Sequence, residues 1–233
     1  MSNPDSFINE VTEEVRRDQL FAMFRKYGWI GIVVVLLIVG GAGYNEWQKA
    51  QTAARAERFG DALMAAARPR LSRSLTVQTQ TGGEELNPDR TSQGMFFSRG
   101  ESELLTRIEA RIGRLLNWPV DHGEGMQVLR YGAGAQYKPH YDYFDPAEPG
   151  TPTILRRGGQ RVATLVMYLS EPARGGGTIF PDVGLEVAPV RGNAVFFSYD
   201  RPHPATGTLH GGAPVIEGEK WVATKWLRER VFE

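Results

Sequence analysis

Four residues in the second half of the chain have the types and the spacing to bind a metal ion and an anion beside it. His140 and Asp142 are two positions apart, His210 follows 70 positions later, and Lys220 lies 10 positions after that. Two imidazoles and one carboxylate on one face of a metal are a ligand set that holds Fe(II) while leaving coordination positions open. A lysine near such a site can pair with the far carboxylate of an anionic co-substrate. The sequence therefore predicts a metal site with three protein ligands and a neighbouring anion-binding lysine.

Short strand-like segments surround these residues and indicate how they are positioned. The segments are rich in β-branched and aromatic residues and are punctuated by glycine and proline, at 126–131, 161–169, 177–180, 185–188, 194–199 and 220–227. Many short strands at regular spacing predict a mainly β fold, a sandwich or a jelly-roll barrel, in which ligands from separate strands can converge. His140 and Asp142 are at i and i+2, so on a regular strand both side chains point to the same side.

One amphipathic helix is predicted before the first of these strands. Ser98 and Glu101 form a capping-box pattern, and apolar residues recur at helical spacing after them. The pattern predicts a helix that begins at Ser98 and ends near Asn117, before Pro119.

Composition excludes several classes of function. Lys+Arg and Asp+Glu both total 27, so the net charge is zero, and nucleic acid is not expected as a bulk electrostatic partner. The chain has no cysteine, which excludes a disulfide framework, a zinc–thiolate site and a thiol nucleophile.

The first third of the chain contains an uncharged apolar segment. Residues 28–44 read GWIGIVVVLLIVGGAGY, and aromatic residues stand near both ends. This pattern predicts a transmembrane helix over 27–47, preceded by an amphipathic helix over 1–26 and followed by an alanine-rich helical linker over 48–67. A buried core strand or helix is the alternative. Four basic residues before the span and three after it favour an N-terminus inside, which places the C-terminal part of the chain on the periplasmic side.

The N-terminal text resembles a family of bacterial inner-membrane proteins that assist the protein translocon and carry a tetratricopeptide-like soluble domain. The matching segments are DSFINEVTEEVRRDQLFAMFRKYGW, the span, NEWQKAQ and RFGDAL. The resemblance covers about residues 1–67 and implies a single-pass protein of the bacterial inner membrane that contacts the translocon. The 34-residue helical repeat of that family's soluble domain does not follow.

The rest of the chain resembles the prolyl 4-hydroxylase alpha-subunit family of 2-oxoglutarate- and Fe(II)-dependent dioxygenases. The segments are QVLRYGAGAQYKPHYDYFD, RVATLVMYLSEPARGGGTIFPDVG and TLHGGAPVIEGEKWVATKWLRER, with RLSRSLTV upstream. The resemblance covers about residues 68–233. It implies a jelly-roll (double-stranded β-helix) domain that uses Fe(II), 2-oxoglutarate, O2 and L-ascorbate. Its substrate would be a proline-containing peptide or protein, hydroxylated with release of succinate and CO2.

The resemblance also implies a role for individual residues. It makes His140, Asp142 and His210 the iron ligands and Lys220 the residue that binds the C5 carboxylate of 2-oxoglutarate. Tyr131 and Thr178 become candidates for the same co-substrate pocket. Each has an alternative role, since Tyr131 is equally a core aromatic and Thr178 an ordinary strand threonine.

The sequence leaves other interpretations open. His203, between two prolines, is a rival metal ligand. The chain could be a non-enzymatic inner-membrane interaction protein with an inert barrel, or a dioxygenase of a free amino acid. The strand that usually precedes RLSRS in the dioxygenase family is not recognisable, and the alanine-rich residues 57–67 stand where the family's helix is expected. The two resemblances meet near residues 65–69, as a genuine fusion or as an artefact of gene assembly.

Overall fold

The structure is a computed structural model that describes residues 4–78 and 80–233. The chain divides into two compact units between Ala54 and Arg55. Residues 1–3 of the predicted N-terminal helix lie outside the described residues.

A single helix, α1 (Pro4–Ala67), runs through all three segments predicted at the N-terminus. Its apolar side chains between residues 20 and 47 are exposed, for example Trp29 at 62% and Leu37 at 70%. By length and composition, it is the one helix among the described residues that could cross a membrane. Those two properties are also found in signal sequences and core helices, so they do not establish a membrane span.

Among the described residues, the second unit contains two further α-helices and fourteen short strands. The helices are α2 (Glu103–Leu116) and α3 (Thr151–Leu155). The strands are β1 (Ser72–Arg73), β2 (Leu75–Val77), β3 (Glu84–Leu86), β4 (Gln93–Phe97), β5 (Met126–Tyr131), β6 (Tyr137–His140), β7 (Arg161–Tyr168), β8 (Arg174–Gly175), β9 (Thr178–Phe180), β10 (Leu185–Val187), β11 (Ala194–Ser198), β12 (His210–Gly212), β13 (Val215–Glu217) and β14 (Lys220–Arg228).

Two antiparallel sheets form the body of this unit. The larger has the order β1-β4-β5-β14-β7-β11, and the smaller has the order β10-β9-β12-β6. All nine residues of the central strand β14 are buried. Burial on both faces accounts for the three consecutive apolar residues Trp221, Val222 and Ala223 in this strand.

Apolar clusters pack against both faces of the larger sheet. On β5, Val128 belongs to the cluster that includes Leu63 of α1 and Leu105 of α2. The next residue, Leu129, belongs to a second cluster, against which Tyr137 of the smaller sheet packs. Successive strand residues point to opposite faces, so β5 joins a helix-covered layer to a sheet-covered layer.

The six predicted strands are confirmed to within one residue at each end. The predicted helix is also present, but its predicted start was wrong. Its N-cap is Ser102, whose Oγ accepts a hydrogen bond from Leu105 N at 3.3 Å. The Glu101 carboxylate still accepts from Ser98 N at 2.8 Å, within a turn that precedes the helix. The helix ends as expected, with Asn117 in the left-handed conformation as C-cap.

Candidate metal centre

Two neighbouring strands of the smaller sheet bring the two predicted histidine ligands together. His140 is the last residue of β6 and His210 is the first of β12, and they are directly opposite each other in the antiparallel pairing. Side chains at opposite positions of an antiparallel pair are within a few ångströms of each other. The pairing of β6 with β12 therefore brings together two residues that are 70 positions apart in the sequence.

Asp142 lies beside the two histidines, but it is not on the strand as predicted. Strand β6 ends at His140, and Asp142 lies in a bend beyond it. The expectation that a regular strand carries both residues was therefore wrong. The chain turns after His140 and places the carboxylate beside the two imidazoles.

A glycine allows β6 and β12 to approach closely. A Cβ on Gly211 would stand 2.8 Å from Tyr137 O and 3.0 Å from Pro139 N. A side chain at this position would separate the strands, so the residue after His210 must be very small.

The ligand atoms of the three residues converge. One ligand atom from each of His140, Asp142 and His210 lies within 4.8 Å of the others. His140 Nε2 is 3.5 Å from Asp142 Oδ1, and His210 Nε2 is 3.5 Å from Asp142 Oδ2. The Nδ1 atoms are 2.9 Å from Lys138 O and 3.0 Å from Thr208 O. An Nδ1–H that donates to a carbonyl leaves the Nε2 lone pair free for a metal.

A hydrogen-bonded shell fixes the carboxylate. Thr164 Oγ1 donates to Asp142 Oδ2 at 2.7 Å and is 3.2 Å from the hydroxyl of Tyr199. Arg161 donates from Nη1 to the main-chain oxygen of Asp142 at 3.3 Å, while Glu124 holds its Nε and Nη2 at 2.6 and 2.9 Å. Sequence reasoning missed Thr164, because a threonine within a β-branched strand carries no distinguishing signal.

The protonation states suit a metal ligand set. Burial opposes the charged form of His210 and lowers its pKa to about 4, so the imidazole is neutral at pH 7. Burial also opposes ionisation of Asp142, but His210, His140 and Arg161 together hold its pKa below the ordinary value. Neutral imidazoles and an ionised carboxylate are the forms that coordinate metals.

Two cavities of unequal size border the cluster. The smaller, about 50 Å³, is also lined by the three predicted co-substrate residues, which are Tyr131, Thr178 and Lys220. The larger, about 660 Å³, is lined by Tyr141, Tyr143, Trp226 and His203. His203 faces this cavity, and its Nδ1 accepts a hydrogen bond from Ala205 N at 3.0 Å. It is not part of the metal-binding group found among the described residues.

Lys220 is a buried cation that has no acidic partner among the described residues. It is 3% exposed, and its Nζ lies 5.2 Å from the ring centre of Tyr131 and 5.9 Å from that of Tyr168. Burial lowers its pKa to about 8. Removing an unpaired ammonium from water is unfavourable, so the small cavity favours an anionic occupant.

Tyr131 and Thr178 lie close to that cation in different ways. Tyr131 is 5% exposed and belongs to the core cluster between the sheets, as well as bordering the cavity. Thr178 accepts a hydrogen bond at 2.8 Å from the hydroxyl of Tyr168, a residue that the sequence did not single out.

Known proteins are similar to this chain in both sequence and fold. Residues 126–228 match the model of the 2OG-Fe(II) oxygenase superfamily. The chain is 41% identical over 186 residues to probable prolyl 4-hydroxylase 3 of Arabidopsis thaliana, covering 71% of this chain and 63% of that protein. The viral collagen prolyl hydroxylase of Paramecium Bursaria Chlorella virus-1, solved as a 2OG complex, is 31% identical with a TM-score of 0.54. That match covers 74% of this chain and 90% of the viral one. This chain belongs to the 2OG-Fe(II) oxygenase superfamily.

The similarity to these proteins includes the fold, and it extends over the larger part of this chain. A prolyl-4-hydroxylase of Pseudomonas putida, 21% identical with a TM-score of 0.52 over 76% of this chain and 88% of that one, shares the fold. The chain spans 63–65% of the length of the first three Arabidopsis relatives. The metal that the superfamily name implies is Fe(II), and the two-imidazole, one-carboxylate set fits it.

Proposed function

We propose that this protein is a 2-oxoglutarate- and Fe(II)-dependent dioxygenase that hydroxylates a prolyl residue of a peptide or protein, releasing succinate and CO2. The observation that carries the proposal is the convergence of His140 Nε2 and His210 Nε2 on the Asp142 carboxylate, with a buried lysine in the adjoining cavity. Relatives named as prolyl 4-hydroxylases support the choice of substrate.

In this proposal, different side chains bind the metal and 2-oxoglutarate. His140, Asp142 and His210 hold the metal, and Lys220 pairs with the far carboxylate of 2-oxoglutarate in the smaller cavity, with Tyr131 and Thr178 beside it. Bound Fe(II) supplies the redox chemistry that couples decarboxylation of 2-oxoglutarate to hydroxylation by O2. L-ascorbate is the proposed reductant.

Aromatic rings shield the metal ligands from water. The Tyr137 ring stacks on His140 with centroids 3.7 Å apart, and the Phe197 ring lies 4.4 Å from that of His210. Excluding water strengthens the electrostatic contacts inside the site and suppresses side reactions. The larger cavity, which is also lined by His140, is the proposed entrance for the prolyl substrate.

We further infer that α1 anchors the enzyme in the bacterial inner membrane by a single span over 27–47. Its exposed apolar side chains support this inference. The same proposal has residues 1–67 contact the translocon. It gives residues 68–233 a jelly-roll topology and a periplasmic location. Membrane fractionation followed by alkaline extraction tests the anchor, because a spanning protein stays in the pellet.

The proposed reaction is tested by Fe(II)-dependent conversion of 2-oxoglutarate to succinate by the purified chain with a proline-containing peptide. We expect turnover in the wild type and a rise of about 100-fold or more in the KM for 2-oxoglutarate in Lys220→Ala, because a buried charge-assisted contact is lost. Folded wild-type protein that binds Fe(II) but forms no succinate with any peptide would exclude the proposal and favour an inert barrel.

A further inference from the structure

A third cavity, about 760 Å³, adjoins the proposed substrate entrance. The two cavities share walls made by Phe96, Phe144, Ile154 and Arg161. An extended peptide advances about 3.3 Å per residue. A polypeptide that crosses this shared boundary with its prolyl residue in the first cavity would place a residue a few positions away in the third cavity.

The charged walls of this cavity are mainly basic. Four arginines line it, against the two acidic residues Glu124 and Glu233. One of the four, Arg161, is neutralised by two hydrogen bonds to Glu124 at 2.6 and 2.9 Å. The other three, Arg99, Arg157 and Arg228, are called the arginine subsite below.

Arg228 is the buried member of the arginine subsite. It is 2% exposed, and Nη2 donates to Arg157 O at 2.9 Å. Its Nη1 has no hydrogen-bond partner in the described part of the chain. Its Nε is 3.3 Å from Glu124 Oε1, an ion pair without hydrogen-bond geometry. Glu124 is already bound by Arg161, and Nε and Nη1 of Arg228 are left without a hydrogen-bonded acceptor among the described residues.

Arg157 and Arg99 extend the subsite towards solvent. Arg157 Nε donates to Glu233 O at 2.8 Å, and its two Nη groups have no partner among the described residues. Arg99 donates from Nη1 to Phe232 O at 2.9 Å. The guanidinium groups of Arg157 and Arg228 stand 4.7 and 5.3 Å from the ring centre of Phe232. Stacking on one ring limits their motion and prepares them to bind an anion.

We propose that the arginine subsite binds an acidic side chain of the polypeptide substrate, a few residues away from the prolyl residue that reacts. This rests on the proposed function for the identity of the substrate. Guanidinium groups recognise carboxylates through paired N–H donors. The enzyme would thus select proline in an acidic sequence context.

Peptide binding tests the subsite without requiring turnover. Fluorescein-labelled nonapeptides carry a central proline among glycine, alanine and serine, with one glutamate, or a matched glutamine, at each of the other positions in turn. Fluorescence anisotropy with the full chain in a non-ionic detergent, with and without Fe(II) and 2-oxoglutarate under argon, gives Kd. We expect glutamate to bind about tenfold more tightly than glutamine at one or two adjacent positions.

Variants assign this preference to the subsite. Arg157→Gln should reduce the glutamate-to-glutamine affinity ratio to about threefold or less, and Arg157→Lys, which keeps the charge but not the paired N–H donors, should give a ratio between those of Arg157→Gln and the wild type. Arg156→Gln is the matched control, since Arg156 is exposed, lines none of these cavities and undergoes the same loss of charge one residue away. The glutamate-to-glutamine affinity ratio of Arg156→Gln should equal that of the wild type. If Arg157→Gln does not fold, judged by circular dichroism, Arg99→Gln replaces it.

The outcomes separate this inference from the proposed function. Equal binding of glutamate and glutamine peptides at every position, or a preference unchanged in Arg157→Gln, overturns the subsite even if neutral peptides are hydroxylated. A preference that depends on Arg157 supports the subsite even if no succinate forms, in which case the proposed reaction fails alone.

Discussion

At the scale of the residue, the burial of Lys220 opposes stability, and the proposed anionic co-substrate would offset it. Its folded-state pKa of about 8 is below the ordinary lysine value of 10.5, because burial disfavours the ammonium form. The unfolded chain therefore binds more protons than the native one between about pH 8 and 10.5. Stability rises with pH through this window, and the penalty is fully present below pH 8.

Lys220→Met should consequently stabilise the apo protein at pH 7 by about 1–3 kcal/mol, because an apolar side chain of similar length replaces an unpaired buried cation. The gain should shrink as the pH rises from 8 towards 10.5. Urea denaturation at several pH values measures both effects. A destabilised variant at pH 7 would show that Lys220 has a partner in the folded chain that offsets its burial.

Thr164 holds the carboxylate of Asp142, a proposed metal ligand. Thr164→Val keeps the shape of the side chain and removes the 2.7 Å hydrogen bond to Asp142 Oδ2. We expect Fe(II) affinity to fall about 10- to 100-fold, as for other groups that orient ligands. Metal titration followed by tryptophan fluorescence measures it. Thr164→Ser, which keeps the hydroxyl, should restore most of the affinity; a serine variant as weak as the valine variant would assign the loss to packing.

At the scale of the element, the candidate metal site depends on two short strands, β6 and β12. Six strands were predictable, because β-branched and aromatic runs such as β7 are identified by composition. Strands β6 and β12 were not, because they contain proline or glycine and no β-branched residue. The ligand residues were found by type and spacing, whereas the bend that carries Asp142 depends on tertiary contacts that no local pattern encodes.

Gly211→Ala tests whether the spacing of β6 and β12 sets the spacing of the ligands. A Cβ at this position meets main-chain atoms of β6 at 2.8 and 3.0 Å, which cannot move aside as a flexible side chain would. We expect about 1–3 kcal/mol of destabilisation and a weaker metal site. The control is Gly132→Ala, which has open space around its Cβ. Unchanged Fe(II) affinity in folded Gly211→Ala would show that the sheet tolerates wider spacing.

At the scale of the whole molecule, the second compact unit begins inside α1. Leu63 and Ala67, at 2% and 0% exposure, belong to the apolar cluster that also contains Leu105 and Leu165. Asp61 pairs with Arg191 at 2.8 Å. The sequence suggested a linker up to residue 67, since an alanine-rich stretch does not reveal what it packs against. The compact unit starts at Arg55, and the end of α1 supplies part of its core.

The two possible boundaries give different truncated proteins. A chain that begins at residue 55 retains Leu63 and should fold with the thermal stability of the intact second unit. A chain that begins at residue 68 exposes the surface that Leu63 and Ala67 cover, and it should lose several kcal/mol, since Leu63→Ala alone is expected to cost about 2–5 kcal/mol. Leu37→Ala, at a residue 70% exposed, is the matched control and should leave the second unit within about 0.5 kcal/mol of the wild type.

Equal melting temperatures for the two truncations would place the true boundary at residue 68 and make the helix end dispensable. A large difference would mean that the second unit cannot be separated from the last turns of the helix proposed to anchor it.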